Sequence, residues 1–534
     1  MKRALTCLMV VALLGGLAVA GQAKTLFWNL STEPPSLDPS LATDTTSHQV
    51  LKAMFISLCQ YDDATMAVLP DLAETWTFDA ATVTWTFNLR NDVHWTDRSG
   101  AVDRGLVTAH DVEFGIKRLL DPATASEYAY VLYLIKGAEA YNTGVGSADD
   151  VGVVAVDDFT VAITLNFPAG YFPSMAALWL CAPLPQFAVE AYGDQWTEAD
   201  NIVTNGPYVL GDWVHEDHLV LNKNPLYYDA ASVKIDQVYC YMVNEQSTAM
   251  AMYEAGTIDV NDNPPLEDMD RIKTDPVLSK ELYQAPNLCT YRYGLNAAKA
   301  PLDNILVRKA LASAVDRQSL IDFVLKGNQR PAQTWTPPGI FGHVDGVALE
   351  IGYPYNPTAA KQYLADAGYP GGAGFPEVTL MFNTSQGHQK IAEFVAQGWE
   401  DTLGIKVNLT NQEWGVYLNT CATDAPQVFR MGWCADYPDA NNWLNDVFHS
   451  GSGNNYEKYD NPVYDDLVER AAVSTDPAER LDLYKQAEIL ICETDVAFIP
   501  IYFYTSNELS KPYVVRTYAA IGGESWKNWD ILDH

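Results

Sequence analysis

Arg430-Met431-Gly432-Trp433-Cys434-Ala435-Asp436-Tyr437 sets one cation, one thiol and one carboxylate among apolar and aromatic neighbours. Taken alone, Asp436 reads as a turn aspartate bonded to its own backbone, and Arg430 as a structural ion-pair residue. Cys434 is one of eight cysteines. Cys7 lies in an N-terminal apolar stretch, and without it Cys59, Cys181, Cys240, Cys289, Cys421, Cys434 and Cys492 form an odd set. In an oxidising compartment at least one of them stays free or pairs externally. None is in a C-x-x-C arrangement, so metal and redox readings are weak, and spacing alone assigns no connectivity.

That compartment is set by the N-terminus. Lys2 and Arg3 precede an apolar run from Ala4 to Val19, followed by the small-residue site Ala18-Val19-Ala20, with Gly21-Gln22-Ala23 as a second option. This is the pattern of a cleaved secretory signal over residues 1–23. Cys7 sits inside the apolar run, so no lipid-attachment cysteine is apparent, and a free periplasmic protein is expected. Sixty-eight acidic against 33 basic side chains give a net charge of −35, which repels a phosphate backbone and an anionic membrane, so nucleic acid is not an expected partner. The 534 residues, 48% hydrophobic and 19% charged, exceed what one core serves and point to two or more lobes.

Strand and helix patterns interleave. Val83, Trp85, Phe87 and Leu89 alternate with polar residues, as do Val161, Ile163 and Leu165, the period of a half-buried strand. Helices are predicted over Ala109 to Leu120, Val307 to Val315, Pro357 to Ala367 with Gly368 as the stop, and Pro477 to Ile491. The class is mixed α/β, without repeats or a long Pro/Gly/Ser linker, so short crossings that suit a hinge join the lobes. Catalytic and cofactor motifs fare poorly. His215 and His218 are three apart and run into the strand-like Leu219-Val220-Leu221, whereas helical zinc hydrolases need histidines four apart. Gly371-Gly372-Ala373-Gly374 follows a helix stop, not a strand, and reads as a loop. No nucleophile elbow or Walker sequence is present. The residues predict neither an enzyme nor a metal or other cofactor.

The Arg430–Tyr437 stretch resembles the ligand loop of the periplasmic oligopeptide-binding proteins, solute-binding subunits of peptide ABC transporters in bacterial extracellular solute-binding family 5. Further matches follow in order: Ser36-Leu37-Asp38-Pro39, Trp85-Thr86-Phe87-Asn88-Leu89-Arg90, Val107-Thr108-Ala109-His110-Asp111, Asn205-Gly206-Pro207-Tyr208, Leu288-Cys289-Thr290-Tyr291, Val307-Arg308-Lys309-Ala310-Leu311 with Asp316-Arg317, Asn383-Thr384-Ser385 and Asn411-Gln412-Glu413-Trp414. The resemblance implies a type II periplasmic binding protein fold, two lobes around a ligand cleft plus an additional domain. One lobe would comprise residues 24–55, 186–288 and 505–534, the other residues 289–504, and the extra domain residues 56–185. It implies capture of short peptides, without chemistry on them, and delivery by a monomer to the membrane permease subunits of an ABC transporter.

By the same resemblance Asp436 receives the ligand's α-ammonium group and Tyr128 lies near that amino end, with a core aromatic as its alternative. His388 and Arg430, as cations or potential cations, lie near the ligand's carboxylate. Trp414 and Trp433 wall side-chain pockets, and Tyr504 lines the cleft. Gly432, Cys434, Asn263 and Thr45 complete the ligand-binding set, and Cys289 and Cys434 form a disulfide beside it. Cys421 stands where well-known members carry arginine, Gly294 where they carry glutamate, Arg292 where they carry tyrosine and Pro264 where they carry asparagine. These departures put peptide length and side-chain preference in doubt. Binding of an oligosaccharide or metal chelate on the same fold, a secreted peptide hydrolase, and a sensor reporting to a membrane receptor are the competing readings; a neutral sugar would give Asp436 no cationic partner.

Overall fold

The motif residues upstream of the ligand loop turn out to hold the architecture together. The computed structural model describes residues 23–474, 476–519 and 524–534; the expected leader, Ala23 apart, lies outside them. Helix Ala109–Leu120 starts on a capping box in which the Asp111 carboxylate accepts the Thr108 N–H at 2.8 Å. That pairing satisfies donors the first turn would leave orphaned. The helix buries Val112, Ile116, Leu119 and Leu120, and its Arg118 forks onto both oxygens of Asp38 at 2.9 and 2.7 Å. Trp196 donates to the same carboxylate at 2.9 Å. Gly206 is required by close approach: a Cβ there would lie 2.5 Å from the Met54 carbonyl carbon.

Eleven strands form the main sheet. One half runs in the order Tyr208–Val214, His218–Lys223, Gln237–Tyr241, Thr25–Asn29 and Val260–Asn261. The other runs Val428–Cys434, Val378–Asn383 and Val407–Gln412. Between them lie two long antiparallel strands, Leu282–Leu295 and Phe498–Ser510, with the short Arg330–Pro331 paired to the latter. The long strands pair with each other over Leu282–Pro286 opposite Thr505–Leu509, lose register, and resume with Thr290 opposite Phe503. A separate four-stranded antiparallel sheet is built from Ala73–Asp79, Thr84–Leu89, Thr160–Thr164 and Val153–Asp157. Its apolar residues, with helix Ala109–Leu120, belong to one continuous core that also contains Leu26, Val50, Leu210 and Val238. A second core centres on Leu311, Leu380, Val395 and Ile501, and a third on Trp335, Trp443, Phe448 and Phe498.

The predicted elements land close to where they form. The helices run Ile305–Ser313, Pro357–Asp366 and Pro477–Ile489, the last continuing into a wider turn over Leu490–Thr494. Val83 belongs to the turn before its strand, with φ of 53°, and Leu165 falls one residue beyond Thr160–Thr164. His215 and His218 flank a hairpin turn and face carboxylates, Glu33 at 2.5 Å and Asp217 at 2.6 Å respectively. Among the described residues no group of side chains is arranged to hold a metal ion, and no helix is long and apolar enough to cross a membrane.

Candidate functional site

A cavity of about 630 Å³ lies against the middle of the main sheet, within the range typical of ligand sites. Thr45, Tyr128, Asn263, His388, Trp414, Arg430, Gly432, Trp433, Cys434, Asp436 and Tyr504 all line it. Antiparallel pairing sets Cys289 directly opposite Cys434, and the two are joined by a disulfide that closes a separation of 145 residues. The remaining cysteines of the described residues, Cys59, Cys181, Cys240, Cys421 and Cys492, are buried free thiols. A Cys289→Ala/Cys434→Ala variant should lose about 2–4 kcal/mol of stability, read as a lowered thermal midpoint relative to the parent.

Asp436 follows immediately on that strand. It is half-buried in the cavity wall, and desolvation, opposed by the Asn442 bond and reinforced by the charge of Asp446, pushes its pKa up to about 7. Asn442 donates to its Oδ2 at 2.9 Å and accepts its backbone N–H at 2.8 Å. No ion pair among the described residues reaches this carboxylate. A desolvated carboxylate without a cation is costly unless a ligand supplies one. Trp433 donates to the same Asn442 at 3.2 Å, and its ring stacks on Tyr128 at 6.1 Å and 15°. Tyr128 is 3% exposed within the core and also a wall of the cavity.

A second pole is cationic. Arg430 donates to Tyr504 Oη at 2.7 Å and Asn383 Oδ1 at 3.2 Å, and its guanidinium lies 4.9 Å from the Tyr291 ring centre. Burial opposes its charge, but the hydroxyls of Tyr504, Tyr291, Tyr502 and Tyr417 outweigh that and hold its pKa above the usual value. Arg430 has no carboxylate partner among the described ion pairs, so it is not a structural ion-pair residue. Gly432 fits between these groups, since a Cβ would come within 3.4 Å of Tyr504 Oη and 3.5 Å of Arg430 Nη2. The sequence reads His388 as a cation or potential cation. Burial, then the charge of Arg430, drives its pKa well below the usual imidazole value, so it is a neutral ring beside Tyr291.

Thr45 opens helix Thr45–Met54, whose N-cap is Asp44. Trp414, at the start of helix Trp414–Asp424, donates to Asp44 Oδ1 at 3.2 Å, joining chain segments on opposite sides of the cavity. Asn263 is held through its backbone: its N–H donates to Asn261 and its carbonyl accepts from Gln246, each at 3.2 Å. Pro264 beside it also lines the cavity. Two of the remaining sequence departures, Arg292 and Gly294, belong together. Arg292 pairs with Glu457 at 2.8 Å, both side chains 1% exposed. Gly294 leaves the room that this pair occupies, since a Cβ would lie 2.7 Å from the Glu457 carboxylate. Asp44 and Asn442 were not predicted. Asp44 in Asp-Thr-Thr-Ser is legible as a helix N-cap, whereas nothing local marks Asn442.

A family model for the bacterial extracellular solute-binding proteins, family 5 (middle region), matches residues 67–455. The periplasmic oligopeptide-binding protein OppA of Salmonella typhimurium is 36% identical over 500 residues, 92% of this chain and 89% of that protein. The structure of Haemophilus influenzae OppA in complex with RPPGFSPFR superposes with a TM-score of 0.88 at 32% identity, covering 96% of this chain and 99% of the other. Against the Escherichia coli murein tripeptide-binding protein MppA the TM-score is 0.89 at 30% identity, with 96% and 99% covered. Against the unliganded open form of MppA it falls to 0.63 at the same identity, with 96% and 98% covered. The chain therefore superposes better on the peptide complex than on that open form. The chain belongs to the bacterial extracellular solute-binding proteins of family 5.

Proposed function

We propose that this protein binds a short peptide by its free amino terminus and hands it to the permease subunits of an ABC transporter, acting as a single chain in the periplasm after loss of a signal peptide. It is a binding protein and performs no chemistry on its ligand. The observation that carries this reading is Asp436: a half-buried carboxylate, without a cationic partner among the described residues, in a cavity whose other pole holds Arg430, likewise without a carboxylate partner among them. A zwitterionic peptide supplies both missing partners, its ammonium to Asp436 and its carboxylate to Arg430, through charge-assisted bonds. The named peptide-binding relatives support it. The cavity lies between two lobes, residues 24–55, 186–288 and 505–534 against residues 289–504, with residues 56–185 as an additional domain, and the lobes close on the ligand.

Mass spectrometry of what the purified protein releases on denaturation tests the reading. Short peptides with free amino termini are the expected content. Recovery of a sugar or chelate instead would overturn it.

A further inference from the structure

Behind Asp436 sits a buried carboxylate that the peptide-binding reading does not use. Helix Asn441–Phe448 presents Asn442 and, one turn on, Asp446 on the same face. Asp446 is 3% exposed and is surrounded by donors. Tyr437 Oη donates to it at 2.6 Å, Asn442 and Asn445 at 3.2 Å, and Asn441 at 3.3 Å. Asp436, in contrast, has Asn442 alone among its side-chain bonds. The Asn442 amide therefore gives one N–H to each carboxylate, while its carbonyl oxygen accepts from the Asp436 backbone and the Trp433 indole.

We propose that Asp446 is a positioning residue, an anion fixed by its donors that acts through Asn442 to aim the Asp436 carboxylate and to strengthen its pull on a ligand ammonium group. This rests on the reading of Asp436 as the amino-end anchor. Electrostatics favours the assignment. Two carboxylates in a low-dielectric pocket repel each other, and a single cation entering beside one of them is attracted by both. Burial raises the pKa of both, and each feels the field of an acidic neighbour, Asp446 on Asp436 and Asp439 on Asp446. The other groups facing the pair do not supply the missing charge. Tyr61, Tyr128, Tyr130, Tyr171 and Tyr437 are neutral, their pKa values raised first by burial. Asp439 is taken up by Arg480 at 2.8 Å.

The test is Asp446→Asn, which keeps the shape and one acceptor oxygen but removes the charge. The parent and the variant are titrated from pH 5 to 8.5 with a tripeptide bearing a free amino terminus and with its N-acetylated form. Withdrawing a like charge lets Asp436 ionise more readily, so the midpoint at which binding is lost on acidification should move to lower pH. The plateau affinity for the free peptide at high pH should fall by about fivefold or more, with the weaker binding of the acetylated form little changed. Tyr437→Phe, which removes the shortest donor and makes Asp446 easier to protonate, should shift the midpoint the same way by less. An equal loss for both peptides with an unmoved midpoint in both variants would overturn the proposal. A parent protein that fails to distinguish free from acetylated peptide would instead overturn the Asp436 reading beneath it.

Discussion

Asp436→Ala should cost the protein roughly thirtyfold to a few thousandfold in affinity for peptides with a free amino terminus. Truncating one partner of a buried, hydrogen-bonded charge pair costs roughly 2–5 kcal/mol, because the other charge is left enclosed without compensation, and each 1.4 kcal/mol is about tenfold. Calorimetric titration of parent and variant reads this directly; an unchanged affinity would remove Asp436 from the amino-end role. The same group makes capture pH-dependent. With its pKa raised from 3.8 to about 7 in the ligand-free protein, the neutral acid is favoured below that pH. The ligand-free protein is therefore at its most stable below the ordinary carboxyl pKa and loses this contribution as pH rises through about 7. An ammonium group needs the anion, so peptide affinity should rise over the same interval, and the Asp436→Asn variant should lack that rise.

Glu457→Ala should destabilise the fold by about 3–5 kcal/mol, since it strands Arg292 without its buried partner. Arg292 is 1% exposed, and its guanidinium lies 4.7 Å from the Trp335 ring centre and 5.0 Å from that of Phe448. Removing the pair together, as Arg292→Met with Glu457→Leu, should recover most of the loss, because apolar groups of similar volume often replace a buried ion pair at little cost. Thermal midpoints of the three chains decide it. A single variant as stable as the parent would show that water or a shifted side chain compensates Arg292.

Local signals in the sequence reached the elements and the membership of the site, but not its charge states. Helix Ala109–Leu120 was legible to the residue because its apolar period runs unbroken to Leu120 behind a capping box at its start. Val83 fitted an alternating pattern equally well, and only the tight turn, with its positive φ, took it out of the strand. The residues grouped by resemblance around a ligand are lined up by one cavity. His388 was legible as a histidine near the carboxyl pole but not as a neutral one, because its burial and the nearby Arg430 are tertiary facts. Arg292 stood out as a departure from the family pattern, yet its partner is 165 residues away. Asn442 and Asp446 lie in a run of polar residues whose inward face appears only once the helix is seated.

The two long central strands restrict how the molecule can move. Over Leu282–Pro286 and again from Thr290 they are joined by ladder pairing, and the register is interrupted around Asn287–Cys289 and shifts again between Tyr291 and Arg292. Sliding one half of the sheet along the other would break many ladder bonds at once, whereas bending at the interruptions breaks few. Motion between the two halves of the sheet is therefore expected to be a bend at these interruptions. A single distance between dyes, one on each side of the bend, should then report the whole motion, with one relaxation rate in single-molecule traces and no separate twisting mode.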